Sequence, residues 1–122
     1  MKLTTLGCWG AYPYQDGGTT SYLVTGHDGF QLLMDAGSRA VTELEKEISP
    51  LDLDAVIISH YHPDHVADLG VLRHYFQLYP KHLWEPKVLP IYGHDEDSYE
   101  FAKLTMAGVS QGQAYDVAGT QQ

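Results

Sequence analysis

Apolar and polar positions in the first third of the chain follow the pattern of a small antiparallel sheet. Lys2 to Gly7, Ser21 to Thr25 and Phe30 to Asp35 are short segments with strand character. Gly26 to Gly29 joins the last two segments with residue types that tolerate positive φ, which favours a hairpin. Cys8 to Thr20 is rich in glycine and carries a proline, and it is predicted to be a long loop.

The middle of the chain changes to an alternation of helix and strand. Ser38 to Ile48 has apolar residues at helical spacing and is predicted to be a helix. Asp54 to Ser59 is apolar on both faces, which is typical of a central strand covered on both sides. A second helix is predicted from about Asp64 to Tyr79, ended by Pro80.

The last third of the chain continues this alternation less clearly. Lys87 to Tyr92 is predicted to be a strand, and Pro90 within it indicates an edge or a bulge. Asp95 to Met106 is predicted to be a helix closed by Gly108. Residues 109–122 have no clear period, and we expect an irregular tail. The order therefore predicts an α/β fold in a single domain, with a mixed sheet and helices on at least one face.

Composition narrows the class of protein. The 122 residues carry a net charge of −9, and 43% of them are hydrophobic, which excludes a wholly disordered chain. No apolar run reaches the roughly 20 residues of a membrane helix, and Met1 is not followed by a signal-peptide apolar segment. The single Cys8 excludes a disulfide framework and a cysteine-rich zinc module. We expect a cytoplasmic protein with no membrane partner and no strong nucleic-acid binding.

Candidate metal ligands are concentrated in the segment Ser-His-Tyr-His-Pro-Asp-His that begins at Ser59. It follows the buried strand directly, and residues that leave the end of a strand fan out around one point. Imidazole and carboxylate donors suit zinc and similar ions, so one metal could be held by two histidines and a second by a carboxylate and a histidine. The candidate metal ligands are His60, His62, Asp64 and His65.

This segment resembles the His-x-His-x-Asp-His motif of the metallo-β-lactamase superfamily, most closely that of its ribonuclease Z-like metal-dependent hydrolases. Three other segments resemble the family as well. They are the strand from Leu32 that ends in Asp-Ala-Gly, the start of the chain from Leu6 to Gly10, and the strand from Val88 to Gly93. The likeness extends to about Met106. Asp68 departs from the family, since many relatives have glycine at that position.

The resemblance implies a fold and a site. The family fold is an αββα sandwich of two similar halves, and this chain resembles only the first half, with helices on one face of its sheet. A complete site would hold two Zn²⁺ ions, or Mn²⁺ or Fe. Asp64 would be a ligand and, as in family members, could also be the catalytic base, with ligation alone as the alternative. Asp35 would accept a hydrogen bond from a ligand histidine. The family's remaining ligands come from the second half, and no histidine follows His94 here.

The function predicted on this basis is hydrolysis by metal-activated water, with a phosphodiester or another small molecule as substrate. Hydrolysis of an acyl, thioester or lactone bond on the same fold is one alternative. Redox chemistry at a di-iron site is another, although relatives of that kind resemble a motif with a carboxylate in place of His62. A third is a non-catalytic metal-binding or interaction fragment, because four protein ligands do not fill two tetrahedral sites.

Two further expectations concern surfaces. The three predicted helices suffice to cover one face of the sheet, so the other face would be apolar and bare, and we expect it to self-associate or to pair with a missing C-terminal half. His94 follows a predicted strand end and could approach the same edge of the sheet, but we expect it to lie at a helix N-terminus beside Asp95, the predicted N-cap, and not to take part in the site.

Overall fold

A six-stranded mixed sheet organises the chain. The computed structural model describes residues 1–8, 18–78 and 88–115. The strands lie in the sheet in chain order, and they are β1 (Lys2–Gly7), β2 (Ser21–Thr25), β3 (Gln31–Met34), β4 (Ala55–Ile57), β5 (Leu89–His94) and β6 (Ser110–Tyr115).

The sheet is antiparallel on one side and parallel on the other, which confirms the predicted mixed sheet. β2 pairs antiparallel with β1 and β3, whereas β3, β4, β5 and β6 are parallel neighbours. The β2–β3 turn forms as its residues predict. Asp28 Oδ1 accepts a hydrogen bond from Phe30 N, and Gly29 has a φ of +88°.

The helices pack on one face of this sheet. They are α1 (Ala40–Glu45), α2 (Pro63–Val66), α3 (Leu69–Leu78) and α4 (Ser98–Ala102), with a 3₁₀ turn at Pro50–Asp52. The core joins sheet residues such as Leu33, Val56 and Ile91 to Leu44 and Leu72 from the helices, all of them fully buried. In the described part of the chain, no helix has the length and apolar character that a bilayer crossing requires.

The opposite face of the sheet is apolar and largely uncovered by the described residues. Among the side chains that register pairs place on it are seven large apolar ones, which we call the open face: Leu3, Tyr22, Val24, Leu32, Met34, Ile57 and Tyr92. Leu3 is 64% exposed and Met34 is 39% exposed, and the other five are half-buried. The side of β4 opposite the helices is thus only partly covered by the described part of this chain, with Ala55 buried and Ile57 half-buried.

The predicted helix from Asp64 to Tyr79 is divided in two, with a break at Ala67 and Asp68 between α2 and α3. The backbone N–H of Asp68 donates to Ala36 O rather than continuing the helix. The Asp68 carboxylate accepts a hydrogen bond from Val41 N at 3.0 Å and so caps α1, although it lies 27 residues further along the sequence. Tyr79 and Pro80 lie outside the described residues, as does most of the predicted loop after Cys8.

Two residues with positive φ explain why one strand ends earlier and one helix begins later than predicted. Asp35 has a φ of +63°, and the strand predicted to reach it ends one residue before, at Met34. Arg39 has a φ of +71° and precedes α1, so the helix predicted from Ser38 begins at Ala40. That helix ends at Glu45 and is followed by turn hydrogen bonds that reach Ile48.

Strand β5 is internal, so the interpretation of Pro90 as an edge or bulge signal is wrong. Pro90 pairs with Gln111 of β6, and the β4 ladder includes only Ile91 and Tyr92. Leu89 N donates towards β6, and successive N–H groups of a strand point to opposite neighbours. The N–H that Pro90 lacks would therefore point towards β4, which does not pair with Pro90.

The C-terminal part differs most from the prediction. α4 spans five residues and not the range from Asp95 to Met106, and Asp97 is its N-cap, accepting from Tyr99 N and Glu100 N. Gly108, with a φ of +77°, lies in the turn before β6 rather than at the end of a helix. Residues 110–115 of the expected irregular tail form strand β6, and residues 116–122 lie outside the described residues.

Candidate metal centre

The parallel strands bring four chemically interesting segments to one edge of the sheet. Asp35 follows β3, the histidine motif follows β4, His94 ends β5 and Tyr115 ends β6. The carboxyl ends of neighbouring parallel strands are where α/β folds place ligands, since the chain diverges there and leaves a crevice. The sequence therefore places its motif where the fold offers space for a site.

Asp35 is the best-connected polar side chain at this edge. It is 7% exposed, and its Oδ1 accepts from Ser59 N at 2.7 Å. Its Oδ2 accepts from the Ser59 hydroxyl at 2.7 Å and from His65 Nδ1 at 2.8 Å. With Nδ1 donating to Asp35, the Nε2 atom of His65 is the ring nitrogen that can bind a metal.

Ser59 extends this arrangement to a second histidine. Its hydroxyl donates to Asp35 and lies 3.1 Å from His60 Nδ1, from which it can accept. His60 Nε2 is then also left as the metal-binding nitrogen. One buried carboxylate thus orients two of the candidate ligands, one directly and one through a hydroxyl.

The candidate ligands are neighbours but are not closed around one point. The His60 ring lies 6.1 Å from the His62 ring and 5.0 Å from the His65 ring, measured between centroids. His65 Nε2 is 3.4 Å from Asp64 Oδ2. Within residues 1–8, 18–78 and 88–115, no three His, Cys, Asp or Glu side chains form a ready-made coordination cluster.

The backbone around the motif is held tightly from β3. Ala36 N donates to His65 O at 2.7 Å, and Gly37 allows the loop to press on α2. A Cβ at Gly37 would lie 2.5 Å from Asp64 O and would also collide with Thr19. The glycine of the Asp-Ala-Gly segment is therefore required by the close approach of this loop to the motif.

Two tyrosines tie the motif to the ends of β5 and β6. The Tyr61 hydroxyl donates to His94 O at 2.7 Å, and the Tyr115 hydroxyl donates to Ile58 O at 2.7 Å. Burial raises the pKa of Tyr61 to about 12. Burial, with a contribution from the charge of Asp35, also raises the pKa of Tyr115. Both phenols therefore stay protonated and able to donate at neutral pH.

His94 lies at the site, contrary to its predicted place at a helix N-terminus. Its ring packs on Tyr61 with 4.7 Å between centroids. A cavity of about 350 Å³ is lined by His60, Tyr61, His62, His94, Asp97 and Glu100. Because α4 starts later than predicted and is capped by Asp97, His94 remains on the strand and faces the motif.

Comparison with known proteins identifies the family. The model of the metallo-beta-lactamase superfamily matches residues 14–118. The chain belongs to this superfamily. It is 41% identical over 115 residues to the probable metallo-hydrolase YhfI of Bacillus subtilis, which confirms the resemblance described above.

Solved structures agree with the fold of the superfamily. The crystal structure of B. subtilis YhfI has a TM-score of 0.84 at 39% identity over 93% of this chain. Human tRNase Z, short form, has a TM-score of 0.69 at 24% identity, which supports the fold alone. Among curated relatives, the ribonuclease Z of Clostridium acetobutylicum is 35% identical over 57% of this chain.

The chain spans less than half the length of these relatives. It covers 47% of YhfI, 44% of the chain in the YhfI crystal structure and 22% of the clostridial ribonuclease Z. The similarity to these relatives therefore extends over less than half of each relative's length. What the whole protein does is therefore a matter for proposal.

Sequence reasoning placed some site residues and missed others. The four motif residues and Asp35 lie together at one edge, and their roles as ligands and support stay predictions. Ser59, Tyr61 and Tyr115 were not singled out, although Ser59 stands directly before the first motif histidine. Tyr115 carried no signal, because its strand could not be seen in the sequence.

Proposed function

We propose that the protein containing this chain is a metal-dependent hydrolase that cleaves a phosphodiester with metal-activated water. The observation that carries the proposal is the hydrogen bonding of Asp35. It leaves the Nε2 atoms of His60 and His65 available to bind a metal. A buried carboxylate that fixes the tautomer of two exposed or half-exposed histidines is typical of support for metal ligands.

The donor set fits the ions that we propose. His60, His62, Asp64 and His65 would hold Zn²⁺, with Mn²⁺ or Fe as alternatives, and a complete site would contain two ions. A divalent ion bound there would polarise the scissile bond and activate water for attack. Asp64 is proposed to accept the proton of that water, since its carboxylate lies next to His65 in the first turn of α2.

The class of bond is supported by the relatives. Two curated proteins that match this chain are named as nucleases: the ribonuclease Z of C. acetobutylicum and the exodeoxyribonuclease WalJ of Streptococcus pneumoniae, the latter 44% identical over 59 residues. Both reactions break phosphodiesters. The net charge of −9 on these 122 residues favours a small substrate over a long polyanion at this part of the protein.

The open face supports a further part of the proposal. Leu3 and Met34 leave substantial apolar surface in water, which a stable protein avoids. We propose that the rest of the parent protein covers this face and supplies the remaining ligands. The isolated 122 residues would then bind metal weakly, self-associate and have little or no activity.

The proposal is tested with the full-length protein stripped of metal with chelator and then reloaded with Zn²⁺ or Mn²⁺. Bis(p-nitrophenyl) phosphate reports phosphodiester cleavage, and p-nitrophenyl acetate reports acyl hydrolysis. We expect metal-dependent cleavage of the first, and its loss in H62A and D64N but not in H74A, which changes an exposed histidine on α3. Turnover of the ester alone would contradict phosphodiester cleavage and would support acyl hydrolysis as the reaction.

The metal content of the same samples provides an independent test. Elemental analysis after gel filtration should find close to two ions per full-length chain and fewer per isolated 122-residue chain. Absence of bound metal from the full-length wild type after reloading would contradict the proposed role of the motif.

A further inference from the structure

His94 lines the cavity of about 350 Å³ that is also lined by His60 and His62. We propose that His94 is a substrate-binding residue whose ring donates a hydrogen bond to a non-bridging oxygen of the phosphodiester. This inference rests on the function proposed above and adds to it a contact from β5, outside the metal motif.

Apart from His62, which is one of the proposed metal ligands, the other polar side chains of the cavity have partners within the fold, including the Tyr61 hydroxyl, which donates to His94 O. Asp97 Oδ1 caps α4 by accepting from Tyr99 N and Glu100 N, both at 3.1 Å. Glu100 Oε1 accepts from Lys103 Nζ at 3.0 Å. His60 is paired with Ser59 through its Nδ1. These contacts account for each of the three side chains without a ligand.

The ring of His94 is different. Across the described residues it makes no hydrogen bond, and its Nδ1 is enclosed by protein without a partner. An enclosed nitrogen that the fold does not satisfy is unfavourable, and such atoms need a reason. Because Nδ1 has no access to the cavity, it is least costly as the unprotonated nitrogen, which leaves the ring N–H on Nε2 to donate to an anionic oxygen.

The ring is nevertheless held in place by contacts that do not involve its nitrogens. It packs on Tyr61, and the Tyr61 hydroxyl is bonded to the backbone carbonyl of His94 itself. Gly93 makes this approach possible, since a side chain there would collide with the Tyr61 hydroxyl. A ring that is fixed by packing and unused in hydrogen bonding is preorganised to contact a ligand.

The test compares H94F with H74F in the full-length, zinc-loaded protein. Phenylalanine keeps the ring that packs on Tyr61 and removes both nitrogens, and His74 is an exposed histidine outside the cavity. For bis(p-nitrophenyl) phosphate we expect kcat/KM to fall about tenfold in H94F, as for one hydrogen bond to a charged group. The change should appear mainly in KM, H74F should match the wild type, and H94N, which retains an N–H donor, should recover part of the loss.

Binding of inorganic phosphate, measured by titration calorimetry, separates this inference from the proposed reaction. If the wild type binds phosphate more tightly than H94F but cleaves no phosphodiester, His94 is a phosphate ligand and the proposed reaction is wrong. If H94F equals the wild type in kcat/KM and in phosphate affinity, or if it loses metal or melts earlier, His94 does not have the proposed role. A wild type that neither binds phosphate nor cleaves the diester would overturn both.

Discussion

Replacing Asp35 by asparagine should weaken metal binding at the motif. The carboxylate accepts three hydrogen bonds within 2.8 Å, two from Ser59 and one from His65, and only 7% of the residue is exposed. An amide has one oxygen in place of two, so at least one donor loses its acceptor and faces an N–H₂ group. Hydrogen bonds to charged groups are worth about 1.5–3 kcal/mol each. Because the three bonds share one side chain, their effects do not add, and we expect about 2–4 kcal/mol of lost stability.

The metal affinity should fall by about 10–100-fold, the usual effect of losing a partner that orients a ligand histidine. Competition with a chromophoric chelator measures this affinity, and urea unfolding of the metal-free protein measures the stability. D54N is the matched control, because Asp54 Oδ2 accepts one hydrogen bond from Gln31 N at 2.8 Å at the opposite end of the strands. An affinity of D35N within twofold of D54N would refute the role of Asp35 in orienting the histidines.

Three other substitutions test separate features of the structure. G37A should cost about 1–3 kcal/mol of stability through overpacking against Asp64 O, measured by urea unfolding; wild-type stability would show that the loop does not need glycine. Y61F should lose about 0.5–1.5 kcal/mol with the hydrogen bond to His94 O. Since the folded-state pKa of Tyr61 is raised to about 12 from 10, its stabilising effect is complete below pH 10 and is lost as the pH rises towards 12. Y61F should therefore lose less stability between pH 8 and pH 11 than the wild type, and equal losses would contradict this. M34K, on the open face, should reduce self-association of the isolated chain in light scattering. A wild-type chain that is monomeric at micromolar concentration would argue against self-association through the open face.

The parts of the fold that the sequence predicted are those in which local pattern and tertiary packing agree. Ser21–Thr25 and Lys2–Gly7 have the observed bounds because side-chain alternation and turn residues both define them. Strand β6 could not be found, since its sequence Ser-Gln-Gly-Gln-Ala-Tyr has no apolar alternation and its structure depends on pairing with β5. The break at Asp68 could not be found either, because the helical period continues through it and the contact with Ala36 O is tertiary.

The candidate site divides in the same way. The motif was evident because four metal-binding side chains stand within six residues after a buried strand. His94 was placed elsewhere because the sequence offers Asp95 as an N-cap, whereas the structure uses Asp97 and keeps His94 on β5. Local capping rules gave two acceptable solutions, and packing of His94 on Tyr61 selects between them.

The open face and the incomplete ligand set are connected through the strand register. Tyr92 belongs to the open face, and His94 lies two residues further along β5, so its side chain leaves the strand on that same side. Whatever covers the open face therefore also reaches the edge where the candidate ligands lie. Catalytic zinc ions usually have three protein ligands each, and the motif supplies four for two ions. We therefore expect covering of the open face and metal binding to be thermodynamically coupled. Adding the remaining part of the protein in trans should raise the zinc affinity of this chain and suppress its self-association, and both effects should saturate at the same stoichiometry.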